Sequence, residues 1–276
     1  MGLRPAAAYP EKAGLRHCET RGEHNLHLLR HSRCEASSLS PQPSRVLRNK
    51  FQWVIDTYVA PASAFATIAE RPAWGWLALL LIAVSGVASV YALLGGASPE
   101  WIVEQQLLEV SHLTPDEMET ARTALLKVAP NAVHLGAAMQ VVLLPIVSAL
   151  LALLYFVGER VVGPSRRRFG QWFALSALSL MPLVINALGL VALCLLQPGE
   201  KPLQLANYAS LNSLVLDLSP GERGQGLAAA LNLFYLWSIG LAAIGIRVYS
   251  GYGFAKSIAL AAFPYLLVFG TWTLFL

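Results

Sequence analysis

Charged side chains are scarce in this sequence. Only 13% of the 276 residues are Asp, Glu, Lys or Arg, whereas 55% are hydrophobic. A soluble globular domain carries roughly a quarter charged residues. The deficit excludes an ordinary soluble domain and favours a protein that faces lipid.

Cysteine is almost absent as well. Cys18, Cys34 and Cys194 are odd in number, and the last lies inside an apolar run, so they do not form a disulfide framework. His17 and His31 stand near the first two, but the spacing of a zinc knuckle is missing. We expect free thiols and no metal site.

Sequence motifs for catalysis and cofactor binding are also missing. The chain has no Walker loop, no H-E-x-x-H and no Gly-rich dinucleotide fingerprint after a strand. The centres of the long apolar runs carry no ionisable residue, which a membrane enzyme or an ion-coupled transporter usually needs. We therefore expect no cofactor and no enzymatic activity.

The basic charge is concentrated at the amino end. Residues 1–50 hold nine Lys/Arg against four Glu, whereas residues 51–276 hold eleven against twelve acids. The first 50 residues mix Pro, Ser, Arg and His without a hydrophobic period, which predicts a disordered basic tail. Its basic residues are scattered and lack aromatic platforms, so nucleic-acid binding is not expected.

Five long apolar runs follow within residues 51–276. About 20 helical residues at 1.5 Å rise cross the roughly 30 Å hydrocarbon core of a bilayer. The sequence thus predicts an all-α polytopic membrane bundle of about five transmembrane helices plus interfacial helices. The predicted spans are 74–94, 134–157, 172–196, 227–248 and 257–276.

Two further segments are too short or too polar to span. Residues 51–70 interleave apolar and polar positions and are broken by Pro61, which predicts an interfacial segment on the membrane. Thr114-Pro115-Asp116-Glu117 predicts a capped helix start, and Pro130 marks its end. The apolar face of that helix comprises Met118, Ala121, Leu125 and Val128.

The Lys/Arg residues in alternate loops predict the orientation. The tail through Arg71, the second loop and the fourth loop together hold sixteen, whereas the other two loops hold four. Basic residues concentrate on the cytoplasmic side of membrane proteins. We expect a cytoplasmic amino end and, after five crossings, a carboxy end on the opposite side.

A few positions are candidate sites. Pro182 and Pro264 interrupt predicted spans, and Asn186 follows Pro182 by one turn, so these are candidate intramembrane polar or kink positions. A packing kink is the alternative to a functional one. Arg166, Arg167 and Arg168 are candidate contacts for anionic lipid headgroups, with a simple topology anchor as the alternative.

The order of short motifs resembles the Yip-type (Ypt/Rab-GTPase-interacting protein) family of integral membrane proteins, in particular its bacterial branch. The similar segments are Pro61-x-x-Ala-Phe65-x-x-Ile68-x-x-Arg71-Pro72-x-Trp74, Glu104-Gln105-Gln106, Gln171-Trp172-Phe173-Ala174, Leu211-Asn212-Ser213-Leu214, Asn232-Leu233-Phe234-x-Leu236-Trp237, Gly245-x-Arg247 and Pro264-Tyr265.

The resemblance implies five spans and a cytosolic amino end. Eukaryotic members act in vesicle trafficking with partners that include Rab-type GTPases. For a bacterial member it implies an inner-membrane protein without that partner, and it carries over no active site.

Three functions are consistent with these features. The first is a non-enzymatic membrane scaffold or adaptor whose partners are membrane lipids and other membrane proteins or a second copy of the chain. The second is a small-solute transporter or channel with a polar cavity near Asn186 and Gln140. The third is a membrane enzyme that uses interfacial residues such as Glu104, His112 and Glu159. The absence of a paired catalytic set ranks it last.

Overall fold

The computed structural model describes residues 52–108, 114–163, 167–197 and 199–275. The predicted tail, residues 1–50, lies outside this part. The described residues form α-helices, short 3₁₀ and π turns, and one isolated bridge between Ser210 and Asn232. The α-helices are α1 (Gln52–Val59), α2 (Pro61–Glu70), α3 (Trp74–Leu94), α4 (Pro99–Leu108), α5 (Pro115–Val128), α6 (Ala132–Val162), α7 (Phe169–Ser179), α8 (Pro182–Leu196), α9 (Gln225–Ala230), α10 (Leu233–Ser250) and α11 (Phe254–Thr273).

Five helical segments of the described chain are long and apolar enough to cross a membrane. They are Trp74–Leu94, Pro115–Val162, Phe169–Leu196, Leu233–Ser250 and Phe254–Thr273. The first is α3, the second ends with α6, the third combines α7 and α8, and the last two are α10 and α11. The predicted all-α membrane bundle with five spans is confirmed.

The fourth span begins later than the sequence predicts. Residues 227–248 read as one apolar run, but α9 ends at Ala230 and α10 begins at Leu233. Asn232 between them has an extended backbone, and its side-chain oxygen accepts a hydrogen bond from the Phe234 N–H at 2.9 Å. The asparagine therefore acts as an N-cap that separates the two helices.

The two ends of the bundle are defined by contacts between helix termini. At the end where α6 and α10 finish, the Ser250 hydroxyl donates to Glu159 at 2.8 Å. At the other end, Tyr91 near the end of α3 hydrogen-bonds His134 near the start of α6. We call these the basic end and the acidic end, because their charges differ.

Among the described residues, the basic end carries six Lys/Arg residues and the acids Glu70 and Glu159, whereas the acidic end carries four Lys/Arg residues and eight acids. The Lys/Arg residues of the basic end are Arg71, Arg160, Arg167, Arg168, Arg247 and Lys256.

Helices α1 and α2 form a hairpin that enters the bundle. Pro61 is the first residue of α2, and α2 packs against α7 and α10. Phe65 and Ile68 on α2 are fully buried, and the Tyr58 hydroxyl of α1 donates to the Met181 carbonyl at 2.8 Å. Met181 lies about 18 Å along the third span from Phe169, the first residue of α7 at the basic end. The hairpin thus reaches deep between the spans.

The hairpin differs from the expected surface segment. Its mixture of apolar and polar positions predicted a segment lying on the membrane, but one apolar face packs inside the protein, while other residues, such as Ile55 and Val59, stay exposed. The Gln171 side chain donates to the Ala69 carbonyl at 2.8 Å. Re-entrant backbone is tolerated at membrane depth when protein groups satisfy its hydrogen bonds, as this contact does.

At the acidic end, α4 and α5 form a second hairpin. Thr114 and Glu117 form the predicted capping box. Three of the four predicted face residues, Met118, Ala121 and Leu125, pack against Val103 and Leu107 of α4. Val128 is half exposed. The predicted helix start is confirmed, and the partner of its apolar face is α4.

The core fills the basic half of the bundle. Its largest fully buried side chains include Trp172, Tyr155, Phe65 and Ile246. The hydroxyls of Ser148 on α6 and Ser176 on α7 lie 2.8 Å apart in this core. Interhelical hydrogen bonds and close packing hold membrane helices together, since lipid removes the usual hydrophobic driving force.

Candidate functional site

The third span is interrupted at the predicted proline. Helix α7 ends at Ser179, and Pro182 is the first residue of α8, where a missing N–H costs no hydrogen bond. The Met181 carbonyl at this break accepts hydrogen bonds from the Tyr58 hydroxyl and from the Val184 N–H. The hairpin of α1 and α2, which we call the re-entrant hairpin, therefore holds this break in place.

Asn186 lies one turn into α8. Its backbone carbonyl accepts a hydrogen bond from the Tyr208 hydroxyl at 3.1 Å, and a side chain added at Gly189 would collide with that hydroxyl. Burial raises the pKa of Tyr208 above its usual range. These contacts tie the segment after α8 to the helix.

A cavity of about 900 Å³ opens between α3, α6, α8 and α11. Its walls are mainly aliphatic, and α3, α6 and α8 all contribute leucines to them. Asn186 and Pro264, two of the predicted positions, both line it, whereas Pro182 does not. The polar lining residues are Ser89, Gln140, Asn186, Tyr235 and Tyr265.

Two polar atoms in this lining have no hydrogen-bond partner within the described structure. They are the side-chain oxygen of Asn186 and the hydroxyl of Tyr265, and both atoms are buried. An unpartnered amide or hydroxyl in apolar surroundings costs about 1–3 kcal/mol. Both residues line the cavity, and a rotation of either side chain would bring its unpartnered oxygen to a bound molecule.

The cavity opens sideways toward lipid. Leu150 on α6 and Val268 on α11 both line it, yet are 56% and 57% exposed. These residues lie within candidate spans, where the surrounding solvent is hydrocarbon. A ligand can therefore reach the cavity from the bilayer.

The arginine cluster lies at the basic end. Arg167 and Arg168 line a cleft of about 620 Å³ together with Glu70, Gln171 and Tyr249. The Arg167 guanidinium stands 5.1 Å from the centre of the Tyr249 ring. Arg166 lies outside the described residues. The cleft therefore holds two positive charges and the Glu70 carboxylate, which leaves it with a net positive charge.

Glu159 is a buried carboxylate that sequence reasoning assigned to the interface. Helix α6 continues to Val162, and Glu159 is only 3% exposed. One oxygen accepts from Ser250, and the other has no partner among the described residues. Burial raises the pKa of nearby Tyr252, and the Glu159 charge raises it further. Helix α6 extends beyond the predicted span 134–157, and this extension is the feature from which the burial of Glu159 could have been predicted.

The residues considered for enzymatic chemistry are not brought together. Glu104 on α4 pairs with Arg122 at the acidic end, and Glu159 lies at the basic end. His112 lies outside the described residues. No group of three potential metal ligands occurs in the part that the structure describes.

The fold defines a multi-pass helical membrane protein with an intramembrane cavity. The profile of the Yip1 domain matches residues 55–275. The chain belongs to the Yip1 domain family. Comparisons with curated proteins and with solved structures found no match.

Proposed function

We propose that this protein is a non-enzymatic membrane scaffold or adaptor. The observation that supports this most directly is the lining of the cavity, which is mainly aliphatic and, among the described residues, holds no Asp, Glu, Lys, Arg or His. Toward the basic end, buried side chains such as Trp172, Phe65 and Ile246 fill the space between the helices. Such a lining suits the binding of an apolar molecule better than the passage of a hydrated solute.

The basic end is the proposed contact with the cytoplasmic leaflet of a bacterial inner membrane, and the carboxy end then lies on the opposite side. Six described Lys/Arg residues at this end support that orientation. The cleft at Arg167 and Arg168 would hold an anionic lipid headgroup. Each such cation near an anionic surface contributes about 1 kcal/mol. Other membrane proteins or a second copy are the proposed protein partners.

A small-solute transporter is the alternative, because Asn186 and Gln140 line the cavity. Its aliphatic walls oppose a hydrated solute, since burying a polar group without partners is costly. The two proposals differ in one measurable property, which is flux across the bilayer.

Liposomes that contain the purified protein are expected to show no solute flux. The experiment loads them with potassium, protons, amino acids and sugars in turn, and compares release with protein-free liposomes and with an Asn186→Ala variant. We expect equal rates in all three, because buried side chains fill the space between the helices toward the basic end. Flux above the protein-free rate that Asn186→Ala reduces would favour the transporter and contradict the scaffold.

The double variant Arg167→Gln/Arg168→Gln is expected to bind phosphatidylglycerol on the order of 10- to 30-fold more weakly, since two cations are lost. Native mass spectrometry of the protein with titrated lipid measures this. Arg122→Gln/Lys127→Gln removes the same charge from the acidic end and should have little effect. Equal weakening by both pairs would mean that the cleft is not the headgroup site.

A further inference from the structure

The intramembrane cavity is built for an uncharged ligand. No Asp, Glu, Lys, Arg or His lines it within the described residues. A charged headgroup at that depth would therefore lack a counter-charge, and desolvated charge without a partner is strongly unfavourable. Phospholipid headgroups are thus poor occupants, although their acyl chains would fit.

The size and the walls of the cavity fit hydrocarbon. Sites for small organic ligands span roughly 300–1,000 Å³ and are mainly apolar with a few placed polar groups. The cavity has about 900 Å³ and follows that pattern. Its exposed lining on α6 and α11 faces the acyl region.

The polar lining specifies hydrogen-bond donors and acceptors. The buried oxygen of Asn186 needs a donor, and the buried hydroxyl of Tyr265 can donate to an acceptor. Gln140, packed against Gly86, can supply amide N–H groups. The complementary ligand carries one hydroxyl donor, carbonyl acceptors and long apolar chains.

We propose that the cavity binds diacylglycerol-type neutral lipid. Its free hydroxyl donates to the Asn186 oxygen, and its ester carbonyls accept from Tyr265 and Gln140. The acyl chains lie along the aliphatic walls and leave between α6 and α11. This inference rests on the proposed function, in which the cavity is a binding site and not a passage.

The test uses the full chain in detergent and a diacylglycerol with a photoreactive group in one acyl chain. Labelled peptides are identified by mass spectrometry. We expect labelling on α6, α8 and α11, with competition by unlabelled diacylglycerol and weak competition by a long-chain alcohol, which lacks carbonyls. Phosphatidylglycerol at the same concentration should not compete. Equal competition by phosphatidylglycerol would mean that the cavity holds bulk lipid, and would overturn the proposal.

Asn186→Leu is expected to weaken labelling about tenfold, because one hydrogen bond is lost. Tyr265→Phe should weaken it severalfold while keeping the ring. The control is Ser238→Ala, which removes another buried unpartnered oxygen, on α10 and away from the lining. Unchanged labelling in Asn186→Leu and Tyr265→Phe would refute the assignment.

Different results would contradict the scaffold function and the diacylglycerol site. Solute flux through liposomes would contradict the scaffold, whatever the lipid labelling shows. Absence of flux together with non-selective labelling would contradict only the diacylglycerol site. A thermal melt of each variant in detergent, compared with the unmodified protein, separates lost binding from lost folding.

Discussion

Replacing Phe65 by alanine is expected to lower the free energy of unfolding by about 3 kcal/mol, at the low end of the range for buried Phe. Detergent or lipid also solvates the ring in the unfolded state, so mainly packing is lost. The ring is fully buried between α2 and the bundle, where Gly245 on α10 leaves space for it. The re-entrant hairpin should loosen first.

Titration with SDS in mixed micelles measures the change in stability. Phe263→Ala is the matched control, because Phe263 on α11 is 48% exposed and faces lipid. A cysteine in place of the buried Ala64 reports the hairpin directly in a background without Cys18, Cys34 and Cys194. It should react with maleimide only after Phe65 is removed. Equal stability of Phe65→Ala and Phe263→Ala would argue against the inserted hairpin.

Replacing Gly75 by leucine is also expected to cost about 3 kcal/mol, the upper range for overpacking. A Cβ at Gly75 would lie 2.8 Å from the Cα of Ala174 on α7. Backbone cannot rotate away as a side chain can, so α3 and α7 must separate. Small residues at helix interfaces permit such close approach in membranes.

Gly240→Leu provides the control for this substitution. Gly240 lies inside α10, and a Cβ there meets no atom within 4 Å. Its replacement should leave stability unchanged or raise it slightly, because leucine favours helix over glycine. The same SDS titration compares the two variants. If Gly75→Leu is as stable as Gly240→Leu, the close contact of α3 with α7 is not present in the folded protein.

Much of the fold was predictable from the sequence because span length and polarity are local properties. The limits of α3, Trp74–Leu94, coincide with the predicted run, since no charge interrupts it and lipid demands a continuous helix. The capping box at Thr114 was predictable for the same reason, because its atoms lie within four residues.

The candidate site was only partly predictable. The sequence identified Asn186 and Pro264 as unusual positions in apolar helices, and both line the cavity. It gave no indication that Tyr265 joins them or that Glu159 becomes buried beside Ser250. These residues meet across different helices, and helical periodicity carries no information about which helices are neighbours.

The sequence by itself determined that this is a five-span helical membrane protein with a basic end, because composition and spacing decide how a chain partitions into lipid. Only the tertiary structure decided that residues 52–70 enter the bundle, that buried side chains fill the bundle toward its basic end and that an apolar cavity opens between α3, α6, α8 and α11. Those features depend on the packing of side chains distant in sequence, such as Phe65 against Gly245.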